Sequence, residues 1–283
     1  VIRHPEDKDL PGLRALWQEA FGDSAEETAY YFTHRHRHGN MLVYIIDDDI
    51  AGMLSMLPLE LVSGSQVFKA RYIFAVATKK SFRSRGISTE LLESAHRMLL
   101  QEGCAAALLV PAEPSLFTYY GKRGYHTAFM VDQMEISGDD LAEMDVSGHV
   151  MPCGAGEYRA LRDRAFAGSS LYARWDEDAL RFISRSVTDG GGAMLRLEFD
   201  GLTAAAVLER REGFVRVSEL VCAPDAWHRV LALIHQHVKA PAYQLRLQEG
   251  HLGMGREFGM LRWLSPAPEL AEGSAPYLAF AKD

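Results

Sequence analysis

The sequence predicts an α/β fold of the mixed, α+β kind, built as two tandem domains that each flank a central mixed β-sheet with helices. Three observations carry this expectation. The chain has 283 residues and 48% of them are hydrophobic, more than one domain of about 100–200 residues needs and enough for two cores. Stretches of period-two alternation interleave with stretches of helical periodicity. The order of these stretches in the first half recurs in the second, with little identity between the halves.

Taken in order, a short strand around Ile2 leads to a helix marked by Asp9 and Pro11, with Leu13, Leu16, Trp17, Ala20 and Phe21 on one face and Gly22 at its end. Ser24 and Glu27 have the spacing of a capping box for a second helix through AEETAYYFTHRHRH, ended by Gly39. MLVYII and IAGMLSML flank Asp47, Asp48 and Asp49, a polar tight turn between paired strands. A turn at SGS (63–65) feeds the strand VFKARYIFAVAT, after which Ile87, Leu91, Leu92, Ala95, Met98 and Leu99 lay one apolar stripe along a long helix. AAALLVPA reads as a strand buried on both faces, PSLFTYYGKRG as a short helix opened by Pro and closed by Gly, and YHTAFMVDQMEI as an alternating strand. The polar run SGDDLAEMDVSGH (137–149) breaks the periodicity, so the expected domains are 1–145 and 146–283.

The second half offers helices at EYRALRDRAFA and EDALRFISRSV, strands AMLRLEF and LTAAAVLE joined by Asp200-Gly201, and the strand FVRVSELVC. The helix DAWHRVLALIHQHV and the strand AYQLRL follow. GREFGMLRWL then stands where YGKRGYHTAF stood, and PYLAFAKD reads as a closing strand.

A net charge of −8 argues against a nucleic-acid partner and suits a cationic small substrate. Cys104, Cys153 and Cys222 are odd in number and lack paired spacing, which points to a reducing cytoplasm and no disulfide or zinc framework. No apolar run nears the ~18 residues that span a bilayer, and VIRHPEDKDL has no signal-peptide core, so neither a membrane nor export is expected. HRHRH (34–38) puts only His34 and His38 on one helix face, and the Asp47–Asp49 run lacks calcium-loop spacing; a solvated face and a turn are the better readings, with no metal.

The stretch VATKKSFRSRGIS carries the chemistry. A strand ending in a glycine-kinked turn that starts a helix gathers unpaired backbone N–H groups and the positive end of the helix dipole at one point, which suits an anion. Gly86 permits close approach, Ser88 and Thr89 are small or hydroxylated, and Arg83 and Arg85 add charge; a diphosphate is the economical ligand. Neither G-x-x-x-x-G-K-[ST] nor G-x-G-x-x-G occurs, so nucleoside triphosphate and dinucleotide readings lose support.

VATKKSFRSRGISTELL resembles the [QR]-x-x-G-x-[GA] motif of the Gcn5-related N-acetyltransferase (GNAT) superfamily, with Arg83, Gly86 and Ser88 at the marked positions and Ser88 in place of Gly or Ala. LLVPAEPSLFTYYGKRGY is similar to the second signature of that family, a strand and short helix ending in [FY]-Y-x-x-x-G-[FY], matched at Tyr120, Gly124 and Tyr125. The resemblance implies a sheet whose two central parallel strands splay apart, acetyl-CoA (coenzyme A) as co-substrate, and transfer of acetyl to a small-molecule or peptidyl amine. It places the pantetheine arm against Val76, Ala77 and Thr78 and the pyrophosphate on Ser84, Arg85, Gly86, Ile87, Ser88 and Thr89, with Arg83 and Ser115 completing the donor set. It makes Tyr120 the general acid for the departing thiolate, with Tyr119 as the substitute candidate. Glu60, Glu113 and His126 are near in sequence, and none is assigned as base.

In the second half Pro224 and Asp225 stand where the turn should be, and Gly255 holds the place before Gly259 that Tyr120 holds before Gly124. An intact copy followed by a degenerate one resembles the tandem acetyltransferases of the Eis type, whose interdomain cleft takes polyamine-like or aminoglycoside acceptors. Their third, sterol-carrier-like domain has no counterpart in the sequence up to Asp283. Two other readings stay open: an acyl-CoA-binding protein without catalysis, and a Fem-like aminoacyl transferase.

Overall fold

The structure, a computed structural model, describes residues 1–280. It confirms the mixed α/β class. The first half runs β1 (Ile2–Arg3), α1 (Leu10–Phe21), α2 (Ala25–His34), β2 (Met41–Ile46), β3 (Asp49–Ser63), β4 (Gln66–Thr78), α3 (Ile87–Gln101), β5 (Ala106–Leu109) and α4 (Pro114–Gly121). The chain continues through β6 (His126–Ser137), α5 (Gly138–Ala142), β7 (His149–Pro152), α6 (Ala155–Phe166), β8 (Tyr172–Trp175) and α7 (Glu177–Asp189). It closes with β9 (Ala193–Phe199), β10 (Leu202–Arg211), β11 (Phe214–Val221), α8 (Trp227–His237), β12 (Ala242–Gln248) and β13 (Arg256–Trp263).

Two compact units result, and they interleave along the chain. One comprises Val1–Glu60, Phe68–His126 and Met260–Pro268; the other comprises Leu61–Val67, Thr127–Gly259 and the segment from Glu269. A single cut near residue 145 is a simpler division than this. The stretch 137–149 is built into the second unit: Ser137 caps α5, Leu141 is buried in the core there, and β7 pairs with β9.

In the first unit the strands lie in the order β1-β2-β3-β4-β5, and the end of β13 adds antiparallel to β5, Met260–Trp263 against Leu109–Ala106. The local signals act as expected at most ends. Gly22 closes α1 in the left-handed conformation, φ 74°, which glycine adopts without steric cost. The Ser24–Glu27 capping box is formed in both directions. Asp47 and Asp48 take positive φ in the β2–β3 turn. Helix α2 stops at His34 instead of running to Gly39, because His36 turns inward, is buried, and lies 5.0 Å from the Phe32 ring. His38 therefore sits in a separate 3₁₀ turn and shares no helix face with His34. The core gathers the predicted stripe of α3 (Ile87, Leu91, Leu92, Ala95, Leu99) with strand residues Leu54, Ile73 and Ala107 and with Tyr120 and Tyr125.

In the second unit the order is β6-β12-β11-β10-β9-β7, with Val230 to Ile234 of α8 buried throughout. No helix separates β12 from β13, so the second half has no counterpart of α4. β8 is a strand the periodicity does not signal, since four residues are too few to show a period. The expected closing strand is absent over 276–280, where Tyr277 makes a single bridge to Tyr172; 281–283 lie outside the described residues.

Candidate active site

β4 and β5 run parallel, yet their ladder holds only Ala70–Tyr72 against Ala106–Leu108, and β4 continues past it to Thr78. Ala75 takes φ 52°, a left-handed irregularity inside the strand that bends it locally. Beyond the bend Val76 is half-buried, Ala77 is buried, and Thr78 holds a buried hydroxyl oxygen without a hydrogen-bond partner. A buried polar group of that kind invites a ligand or water.

A 3₁₀ turn over Lys80–Phe82 then redirects the chain, with the Lys79 ammonium 2.5 Å from Asp49. Arg83 Nε donates to the Thr78 carbonyl at 3.3 Å, and the Arg85 guanidinium lies 5.2 Å from the Phe82 ring centre. Ser84 and Gly86 both take left-handed φ, 62° and 82°. Gly86 is the N-cap of α3 and supplies no side-chain cap; the first helical bond runs from Thr89 N–H to the Gly86 carbonyl at 2.9 Å. The N–H groups of Ile87 and Ser88 thus open the helix ahead of that bond, beside the exposed residues Arg83, Ser84, Arg85 and Gly86. A Cβ on Gly86 meets nothing within 4 Å, so φ fixes glycine here and the space above the turn is free.

α4 brings its tyrosines to this turn. Tyr119 OH lies 2.6 Å from Ser88 Oγ, which makes Tyr119 the tyrosine tied to the turn. Tyr120 is 8% exposed, edge-on to Tyr119 and Tyr125, and its phenol is pushed up to about 12, chiefly by burial, with Tyr119 adding and Arg123 opposing. Ser115 lies in the first turn of α4 and gives its hydroxyl to Glu113 at 2.6 Å. Glu113 and His126 are exposed.

Three residues that sequence reasoning did not single out complete the surroundings. Arg123 donates to the Tyr119 carbonyl at 2.6 Å and to Thr89 Oγ1 at 2.5 Å, with its guanidinium 3.5 Å from the Tyr119 ring centre. Arg262 of β13 donates to the Arg123 carbonyl at 2.5 Å and lies 3.0 Å from His96 Nδ1, whose other ring nitrogen is 2.8 Å from Tyr125 OH. Burial, then the Arg262 charge, lowers His96 to about 4. A cleft of about 470 Å³ opens among these groups, between α3 and the end of α4. Arg123 lies at an unremarkable helix end and Arg262 is 139 residues further along, so only the fold could join them. Among the described residues no three His, Cys, Asp or Glu side chains come together to hold a metal ion.

Among the described residues the second unit lacks these features. The N-cap of α8 is Ala226, with φ −99° and no side-chain cap. Where a counterpart of α4 would stand, the loop 250–255 wraps the buried Asp132 carboxylate, which accepts from the N–H groups of Gly250, Leu252, Met254 and Gly255 at 2.6–3.1 Å. Burial opposes ionisation of Asp132, but those backbone donors prevail and hold it below the usual carboxylate range.

A family model described as an acetyltransferase (GNAT) domain matches residues 1–128. Among solved structures, a GCN5-related N-acetyltransferase from Anabaena variabilis superposes with TM-score 0.76 at 17% identity, covering 94% of this chain and 73% of its own. A GCN5-related N-acetyltransferase from Kribbella flavida gives 0.72 at 17%, covering 93% and 72%. Eis1 from Mycobacterium abscessus gives 0.67 at 15%, covering 93% and 74%. At these identities the structural likeness establishes the fold. No curated protein matches the sequence.

Proposed function

We propose that the protein, whose residues 1–128 match a family model for a GNAT acetyltransferase domain, is an N-acetyltransferase that moves acetyl from acetyl-CoA to a primary amine of a small molecule or peptide. The observation that carries this reading is the uncapped start of α3, with left-handed Gly86 and two exposed arginines, placed at the end of a strand that outruns its parallel partner. In this reading the pantetheine arm follows Val76, Ala77 and Thr78, with the unpartnered Thr78 hydroxyl available to it. The pyrophosphate rests on residues 84–89, with Arg83 and Arg85 offsetting its charge and Ser115 reached from α4. The first unit is the catalytic domain, and the second serves structure and acceptor binding.

Acetyl transfer requires the lone pair of the neutral amine to attack the thioester carbon, the C–S bond to break with its electrons passing to sulfur, the new amide nitrogen to give up one proton, and a proton to reach the sulfur. The site contributes chiefly by holding the donor in place. Tyr120 gives its hydrogen bond to the charge developing on sulfur. A phenol near 12 stays protonated at every working pH, but it is a weaker acid than a thiol of about 8.5, so full proton transfer in advance of C–S cleavage is uphill. Its contribution therefore belongs at the low end of the ~10²–10⁴-fold range of general acids. Tyr120→Phe should lower kcat by about 10²-fold and leave the KM for acetyl-CoA unchanged.

Two measurements test the reading. Coenzyme A or acetyl-CoA should raise the melting temperature. Free thiol should appear when acetyl-CoA is mixed with a panel of polyamines, aminoglycosides and amino acids. Stabilisation without thiol release from any amine would sink the transferase reading. The burial of Tyr120 among core aromatics favours one alternative, acyl-CoA binding without catalysis; a rise in melting temperature with coenzyme A and no thiol release from any amine would count toward it.

A further inference from the structure

Arg262, near the end of β13, reaches the surroundings of the turn through side-chain hydrogen bonds to Arg123 and His96. It leaves the strand opposite Ala107 of β5 and crosses to the far end of α4. One nitrogen, Nη1, serves two acceptors, the Arg123 carbonyl and His96 Nδ1. Because Nδ1 accepts from a guanidinium that can only donate, the proton of neutral His96 sits on Nε2, and His96 donates to Tyr125 OH. The guanidinium also packs on Gly124, where a Cβ would lie 3.4 Å from Arg262 Nε and 3.5 Å from Cζ. Gly124 has φ 82°, and this conformation is what selects glycine there, since contacts of 3.4 Å and more to a side chain leave room for a Cβ.

The chain of contacts continues toward the turn. Arg123, held at its carbonyl by Arg262, grips the Tyr119 carbonyl and ring and Thr89 in the first turn of α3; Tyr119 in turn reaches Ser88. Each link is a short contact to a group of fixed position, and Arg123 meets its two acceptors through both terminal nitrogens of its guanidinium, a fork that a lysine cannot copy. A shift of α4 relative to α3 therefore breaks several contacts together. α4 also bears Tyr120, so the same lock sets the acid against the donor turn.

We infer that Arg262 is a positioning residue for acyl-donor binding, fixing the end of α4, through Arg123 and His96, against the first turn of α3. The inference rests on the reading of that turn as the acetyl-CoA cradle. It goes beyond that reading because it makes the donor site depend on a side chain from the far end of the sequence.

The test uses the full chain with Arg262→Met, which keeps an apolar stem, and Arg262→Lys, which keeps the charge. Titration calorimetry with coenzyme A and steady-state kinetics with acetyl-CoA are the readouts. Arg262→Met should weaken coenzyme A binding and raise the KM for acetyl-CoA about tenfold while the KM for the amine stays put; Arg262→Lys should restore part of the loss. Arg123→Met should give a loss of similar size, and the double variant should lose little beyond either single one, since residues of one network are not additive. In NMR titrations the His96 ring should regain protonation closer to the usual histidine range once the neighbouring charge is gone. Unchanged coenzyme A affinity in Arg262→Met would overturn the inference, as would equal losses for donor and acceptor that track the melting temperature. If Arg262→Met does not fold, Arg262→Lys and Arg123→Lys decide by the same donor-against-acceptor split. A wild-type protein that binds no coenzyme A at all removes the donor reading, and this inference falls with it before any variant is compared.

Discussion

β4 and β11 hold corresponding places in the two halves, and their ladders match up to one point. Each makes three parallel pairs and no more: Ala70–Tyr72 with Ala106–Leu108, and Val215–Val217 with Tyr243–Leu245. Each then carries an irregularity, Ala75 with positive φ in one and a register shift that skips Ser218 in the other. Past that point they differ. Phe74 beside Ala75 joins an aromatic group with Trp17 and Tyr31 from α1 and α2. Glu219 beside Ser218 is wholly buried, with both carboxylate oxygens 2.9 Å from Arg162 Nε and one of them 2.8 Å from Tyr158 OH, both partners on α6. The turns after the strands differ as well, a left-handed glycine in one and Ala226 in the other. A strand that outruns its partner is thus a backbone device shared by both units; the residues around it decide whether it offers a ligand a place or closes on an ion pair.

The largest effect should come from breaking that ion pair. Glu219→Gln leaves the Arg162 charge buried and uncompensated, which costs about 3–5 kcal/mol. At a few degrees per kcal/mol the melting temperature should drop by roughly 10 °C. Replacing both partners by Leu and Met should recover most of the loss, because apolar pairs of similar volume often equal buried ion pairs. If the double replacement recovers no stability, the pair does more than fill its own volume.

A smaller effect belongs to the open turn. Gly86→Ala meets no atom, so its cost is the left-handed φ alone, about 1–2 kcal/mol. A turn that relaxes to escape this strain withdraws the N–H groups of Ile87 and Ser88, and coenzyme A affinity should fall about tenfold. Gly86→Asn should lose less, since asparagine tolerates that conformation. At the matching place, Ala226→Gly should leave coenzyme A binding unchanged. Equal affinity of Gly86→Ala and wild type would show that the turn does not hold the donor.

Much of this contrast was legible before the fold. The stripe of α3, the caps at Ser24 and Gly22, the paired tight turns and the missing turn and tyrosine of the second half all rest on local chemistry, which a sequence displays directly. The Arg162–Glu219 pair, the Asp132 carboxylate inside the loop 250–255 and the Arg262 contacts were not. Each joins residues far apart in the chain whose local context is ordinary for an exposed side chain. The sequence pattern carries α2 past its end at His34 for a related reason: histidine and arginine continue a helical pattern well enough, and burial of His36 against Phe32 ends it.

The smallest effect follows from the histidines of the first unit, and the second unit has a different counterpart. Burial, aided by Arg262, lowers His96 to about 4, and burial with neighbouring His38, Arg37 and Arg14 does the same for His36. Between the ordinary value of about 6.5 and the folded value near 4 the unfolded chain binds more protons, so stability present above pH 6.5 is lost as pH falls through that window. Between pH 7 and 6 each group contributes less than about 1 kcal/mol of that loss. Asp132 in the second unit also favours the folded chain at higher pH, but its lowered value moves the loss below the normal carboxylate range, outside this interval. His96→Gln can still accept from Arg262 and donate to Tyr125 while carrying no titrating group. It should melt like wild type at pH 7 and better than wild type at pH 5.5 in parallel thermal scans. An identical pH dependence in the two proteins would mean that His96 is not the group whose protonation the first unit resists.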